Sequence, residues 1–303
     1  MTVTRPCIQL IQGLFVFLSV TIWRMKNILI TGCSSGIGYC VAKGLKGRGY
    51  RVIASARKPE DVSRLQTEGF DTLLLDVADS ESIQQAVRAL EALCEGKLYA
   101  IFHNGAYGQT GAVEDLTRST LEKQFASNVF GWIELTNLLI PLMRQQPSSR
   151  IIFNSSVLGL IALPFRGAYN ASKFAIEGFA DTLRLELHPS NIDVCLIEPG
   201  PVESKFRQNA LAALRANVDI ENSVHKNKYQ KQIKRMEKVG PAAPFTLPAD
   251  AVLKKVIHAL ESKRPKPRYY VTFPTYLFGT LRRLLPTRWL DTVLRYVSKS
   301  EME

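Results

Sequence analysis

From Asn27 onward, short apolar runs alternate with longer amphipathic stretches, and that alternation restricts the chain to very few folds. The first run, Asn27-Ile28-Leu29-Ile30-Thr31, leads into a glycine-rich turn and a helix-like stretch to Gly49, the opening of a βαβ unit. Further strands are expected at Arg51 to Ala56, Thr72 to Leu75, Tyr99 to Phe102, Arg150 to Asn154, Asp193 to Ile197 and Tyr269 to Thr272, with helix-length patterns between most of them. Runs such as Leu73-Leu74-Leu75 are apolar on both faces, as buried parallel strands are. About seven such strands, joined by right-handed crossovers, make a single-domain, doubly wound parallel α/β sheet with helices on both faces. Its ligand crevice lies beyond the carboxyl ends of the strands.

Composition agrees and sets outer limits. With 303 residues, 46% hydrophobic and 22% charged, the chain is neither a disordered polar polymer nor a polytopic membrane protein. Cysteines at positions 7, 33, 40, 94 and 195 form no C-x-x-C pair, which points to a reducing, cytoplasmic setting. His103, His188, His225 and His258 lack ligand spacing, so no metal is expected. Residues 1 to 200 hold 19 Lys+Arg against 18 Asp+Glu, and residues 201 to 303 hold 20 against 9, so nearly all of the +12 charge is C-terminal. The basic run Lys226 to Lys238 has only Tyr229 as an aromatic, so the stacking platform of a nucleic-acid binder is missing.

Before the first strand, Ile8 to Trp23 is apolar but short of the roughly 20 residues that span a bilayer. Residues 1–24 read as sequence ahead of a start at Met25, as a membrane anchor or, with the poorest fit, as a signal peptide; the start at Met25 is preferred slightly. The expected organisation is therefore a leading segment 1–24, the doubly wound α/β domain 25–273 and a basic amphipathic helical extension 274–303.

Thr31-Gly32-Cys33-Ser34-Ser35-Gly36-Ile37-Gly38 follows the first strand and opens a helix. Glycines there allow a tight turn and close backbone approach, and the helix N-terminus offers amides to a pyrophosphate. The second strand ends Ala54-Ser55-Ala56-Arg57-Lys58, with no acidic residue for a ribose 2′-hydroxyl and two cations suited to a 2′-phosphate, so NADP(H) is predicted. Tyr169 and Lys173 stand one helical turn apart, and a nearby cation can lower a phenol pKa into a useful range. Ser155-Ser156, ending an upstream strand, can bring a hydroxyl to the same crevice.

Together these stretches resemble the short-chain dehydrogenase/reductase family, in its short glycine-spacing form, from about Met25 to Val271. The resemblance also covers Asp76-Val77, Asn104, Asn128 and Pro199-Gly200. It implies that Tyr169 is the general acid, that Ser156 binds the substrate oxygen, and that Lys173 binds the nicotinamide ribose and depresses the Tyr169 pKa. It implies that Asn128 holds a relay water, that Asp76 and Val77 border the adenine, and that Pro199, Gly200, Val202 and Ser204 line the nicotinamide side. One departure is His103-Asn104-Gly105-Ala106 where the family has N-N-A-G; Asn104 and Gly105 are still expected to floor the cofactor site, with His103 in a packing role. The glycine turn, Ala56-Arg57 and Arg264 to Tyr269 look most like bacterial NADP-dependent aldehyde reductases, 17β-hydroxysteroid dehydrogenases and retinol dehydrogenases.

Leu158, Leu163, Phe165 and Phe206 are candidates for the wall of an apolar substrate pocket, although they would equally suit a core. Tyr276 to Val297 reads as a basic amphipathic helix pair, suited to a membrane surface or, preferably, to packing on its own domain or a dimer mate. The expected function is NADP(H)-dependent interconversion of lipophilic aldehydes or ketones and alcohols, in a homodimer or homotetramer. The alternatives are an NADP(H)-binding sensor or scaffold without turnover and, last, epimerase-type chemistry.

Overall fold

The computed structural model describes residues 25–240 and 243–302; the segment Ile8 to Trp23 and its start-site or anchor readings lie outside the described residues. Seven strands form one parallel sheet: β1 (Asn27–Ile30), β2 (Arg51–Ala56), β3 (Asp71–Leu74), β4 (Ala100–His103), β5 (Ser149–Asn154), β6 (Ile192–Glu198) and β7 (Arg268–Tyr270). Their order is β3-β2-β1-β4-β5-β6-β7. The direction of winding therefore reverses between β1 and β4, and the crevice opens at the carboxyl ends of those two strands.

Strict alternation along each strand distributes side chains to two cores. Leu29, Ile151, Phe153, Val194 and Leu196 face one side, where they meet α3 (Ser80–Cys94), α5 (Gly131–Arg144) and α6 (Gly167–Glu186). Ile28, Ile30, Ile152, Cys195 and Ile197 face the other, against α1 (Gly36–Lys46), α2 (Pro59–Thr67) and α9 (Asp250–Glu261). The expectation that Leu73-Leu74-Leu75 is buried on both faces is corrected, because β3 is an edge strand and Leu74 is half exposed. Strands β3, β4 and β7 are also displaced by a residue or two from their expected bounds; the ladder still reaches Leu75, whose N–H donates to the Ala56 carbonyl.

Above the sheet, α4 (Arg118–Phe125) runs into α5 through one π-helical turn, Ala126–Phe130. Between β6 and α9, α7 (Phe206–Asn217) and α8 (Lys226–Glu237) form a small cap with its own apolar centre. The chain continues through α10 (Phe273–Leu284) and α11 (Thr287–Met302). Phe278, Leu290 and Leu294 from this pair bury against Leu158, Ile161 and Tyr169, so the pair packs on the rest of the chain beside the crevice. Among the described residues no helix is long and apolar enough to cross a membrane.

Candidate active site

The glycine turn is held by contacts too close for any side chain. Gly32 has φ +70°, and a Cβ there would lie 2.6 Å from the Gly105 Cα. At Gly38 a Cβ would lie 2.3 Å from the Gly32 carbonyl oxygen and 2.5 Å from Asn104 Nδ2. The departure at His103 to Ala106 thus has a structural role, since Gly105 supplies the bare backbone on which Gly32 rests. Asn104 ties the strand ends together: its Nδ2 donates to the Thr31 and Gly32 carbonyls, and its Oδ1 accepts from Asn154 Nδ2 at 2.9 Å. The α1 N-terminus begins immediately above, and Ser35 makes no side-chain capping bond, so its first-turn amides remain for an anionic ligand.

Arg57 and Lys58 are exposed at the end of β2, and the Arg57 charge reaches Tyr107 across the crevice. The sequence reading missed Arg64, whose guanidinium donates to the Ser34 carbonyl at 2.8 Å and lies over the Tyr39 ring, bracing the turn from α2. Asp76 and Val77 are half-buried after β3; Asp76 Oδ1 accepts from the Ala78 N–H, and the Val77 carbonyl abuts Gly131 so closely that a Cβ there would be 1.5 Å away. On the far wall, the Pro199 carbonyl accepts from the Val157 N–H, Gly200 packs against Thr272, Val202 bridges to Leu247, and Ser204 sits over Gly36. These donors, the bare glycine floor and the exposed cations fit a dinucleotide.

Deeper in, β5 and α6 bring Ser156, Tyr169 and Lys173 together. Ser156 Oγ accepts from the Leu158 N–H at 3.1 Å and is hydrogen-bonded to the Tyr169 hydroxyl. Lys173 is 2% exposed; its ammonium donates to the Asn154 carbonyl at 2.8 Å and lies 4.5 Å from the centre of the Trp132 ring. Burial pushes Lys173 down to about 7, against the opposing pull of Glu177. The expectation that Lys173 depresses the Tyr169 pKa is corrected for the protein alone: burial raises the phenol well above its ordinary value, and only the Ser156 hydrogen bond opposes this.

Asn128 lies in the π turn, a feature often found at functional sites. Its side chain clamps Tyr107, accepting from the Tyr107 N–H and donating to the Tyr107 carbonyl, and it also donates to Ser172 Oγ. Trp132, which the sequence reading missed, donates to the Gly105 carbonyl and is stacked with His103. His103 is fully buried, accordingly pushed down to about 3, and paired with Thr136, which supports its expected packing role. A signal for Trp132 did exist: it follows Asn128 by one helical turn and so shares its face.

The four apolar candidates separate. Leu158 and Leu163 belong to the cluster of Tyr169 and the α10–α11 pair, and the Phe206 ring lies 5.1 Å from the Tyr169 ring. Phe165 does not join them. It packs edge-on to Tyr229 in the cap core, and the candidate pocket role is corrected accordingly.

Comparison with known proteins agrees with this geometry. A profile of the family described as short chain dehydrogenase matches residues 26–215. The uncharacterized oxidoreductase YbbO of Escherichia coli is 43% identical over 270 residues, spanning 89% of this chain and 94% of that protein. Human retinol dehydrogenase 5 is 34% identical across 89% of this chain and 88% of its own length. The NADPH-dependent 3-dehydrocapnine reductase of Ornithobacterium rhinotracheale is 30% identical across 89% and 96%.

Proposed function

The chain belongs to the short-chain dehydrogenase/reductase family, and from that premise we propose that it is an NADP(H)-dependent reductase of lipophilic aldehydes or ketones. The observation that carries this reading is the buried cluster of Ser156, Tyr169 and Lys173 beside a glycine floor that no side chain could enter. When bound, NADP(H) supplies the hydride. Gly32, Ser34, Ser35, Gly36, Ile37, Gly38, Asn104 and Gly105 would carry its phosphates and floor its site, with Asp76 and Val77 at the adenine. Arg57 and Lys58 would take the 2′-phosphate by charge-assisted hydrogen bonds. Pro199, Gly200, Val202 and Ser204 would line the nicotinamide side.

Ser156 orients the carbonyl oxygen, and Tyr169 donates a proton to it as negative charge develops there. The high phenol pKa keeps Tyr169 protonated and ready to donate. A charged Lys173 brought to the nicotinamide ribose stabilises the phenolate that remains, and Asn128, which clamps the Tyr107 backbone, would hold the relay water through which solvent returns the proton. Leu158, Leu163 and Phe206 favour an apolar substrate, in keeping with a relative named for retinol. The relative named as NADPH-dependent supports the cofactor and the reductive direction.

Exposed Leu138, Phe174 and Phe179 on α5 and α6 support a homodimer or homotetramer, and free thiols at Cys33, Cys94 and Cys195 fit a cytoplasmic setting. Trp289, Tyr296 and Val297 are exposed on α11 near Arg288 and Arg295, which supports peripheral membrane contact by residues 274–303. The test is NADPH oxidation by purified protein with fatty aldehydes, retinal and steroid ketones, against short polar aldehydes. Turnover confined to the apolar set is expected; equal rates on the polar set, or none on either, would reject the assignment.

A further inference from the structure

Behind Lys173 lies a buried charge cluster that the proposed reaction does not use. Glu177 follows Lys173 by one turn of α6, with its side chain 9% exposed, and Glu198 at the end of β6 is fully buried. Arg268 on β7 joins them: its Nη1 donates to Glu177 Oε2 and, at 2.7 Å, to Glu198 Oε1, while its Nη2 donates to Asp181 at 2.6 Å. The Ser155 hydroxyl and the Glu198 carboxyl both face Glu177, and Tyr270 faces the group from β7. Glu177 Oε1, Glu198 Oε2 and Ser155 Oγ are buried without a partner in regular hydrogen-bond geometry.

Two carboxylates so placed cannot both stay charged at low cost. Burial pushes both carboxyls up, Glu198 to about 8 with the Glu177 charge adding to the rise. The Ser155 hydrogen bond and the Arg268 charge oppose the rise at Glu177, and the shared proton is therefore assigned to Glu198. Lys173 and Arg268 then share Glu177 as their buried countercharge, while Asp181, whose side chain is 41% exposed and also pairs with Arg184, meets Arg268 from the outer side of the cluster. Remove Glu177, and the ammonium loses the one carboxylate that offsets its burial.

We propose that Glu177, anchored by Arg268 and packed against Ser155 and Glu198 one helical turn from Lys173, is a positioning residue whose negative charge holds the Lys173 ammonium within the protein core. Its use in the reaction rests on the assignment of Lys173 above. Its electrostatic part does not.

The experiment is an NMR titration of the full chain with isotope-labelled lysine, the Lys173 signal being identified by its loss in Lys173→Arg. In Glu177→Gln the Lys173 midpoint falls by about one pH unit, the scale of a lost neighbouring countercharge. Glu177→Asp, which withdraws the charge by one methylene, moves it in the same direction by less. Glu198→Gln, the isostere of a protonated acid, leaves it within about 0.3 unit. The high-pH fall of kcat for carbonyl reduction should follow these midpoints while KM stays nearly constant. An unmoved midpoint in both Glu177 variants overturns the proposal, as does a Glu198→Gln shift as large as that of Glu177→Gln. The midpoint needs no turnover, so a protein that reduces no carbonyl yet shows these shifts would refute the reductase reading alone.

Discussion

The two halves of the crevice are built by different means. On the β1–α1–β2 side, the site is backbone: Gly32 and Gly38 fit because nothing larger could, and the cations that would select a phosphate stand exposed. On the β5–α6 side it is buried side-chain chemistry, with Tyr169 and Lys173 displaced from their ordinary titration ranges in opposite directions by the same burial. Sterics govern the first half, where a single methyl group is decisive. Electrostatics govern the second, where an uncharged but isosteric substitution is the sharper tool.

That contrast can be broken at either end. Gly38→Ala drives a methyl into the Gly32 carbonyl and Asn104, and should weaken NADPH binding about 100-fold, the upper range for an overpacked site; fluorescence titration of NADPH checks it, and unchanged affinity would show that the turn has room to relax. Arg57→Asp should cost NADPH binding ~2 to 4 kcal/mol and move preference towards NADH, through loss of a charge-assisted contact and added repulsion. The ratio of NADPH to NADH affinities measures this, and an unaltered ratio removes Arg57 from cofactor selection. Neither change should move the pH dependence of kcat.

Trp132→Phe should do the reverse. Lys173 is charged below about 7, so activity that needs the ammonium falls as pH rises through that region. A phenyl face holds a cation less well than an indole, by about 0.5 kcal/mol or more, so the fall should move to lower pH by about half a unit. That shift is separate from any rise in KM for NADPH caused by losing the indole hydrogen bond to the Gly105 carbonyl. A pH profile of kcat identical to that of the unaltered protein would deny Trp132 any part in holding the ammonium.

The sequence made the first half legible because its signals are local. A glycine turn between an apolar strand and a helix, and a strand ending in Arg57-Lys58, are each read within about ten residues. The pairing of Tyr169 with Lys173 was legible for the same reason. What the sequence hid came from distant chain brought together by the sheet. Arg268 meets Glu177 and Glu198 only because β6 and β7 are neighbours, and no local pattern announces it. Burial was also hidden: proximity to a cation is visible in spacing, but the desolvation that raises the Tyr169 phenol in the protein alone is not. Phe165 fails likewise, since its ring is drawn into a cap whose centre is supplied by α7 and α8. Leu74 shows the limit for strands, because an apolar run does not say which strand will lie at the edge.

The most direct measurement is steady-state reduction of an apolar aldehyde by Tyr169→Phe, alongside NADPH titration of the same sample. Turnover should fall at least about 1000-fold, within the range for loss of a general acid, with NADPH affinity preserved. A fully active Tyr169→Phe would contradict the account at its centre.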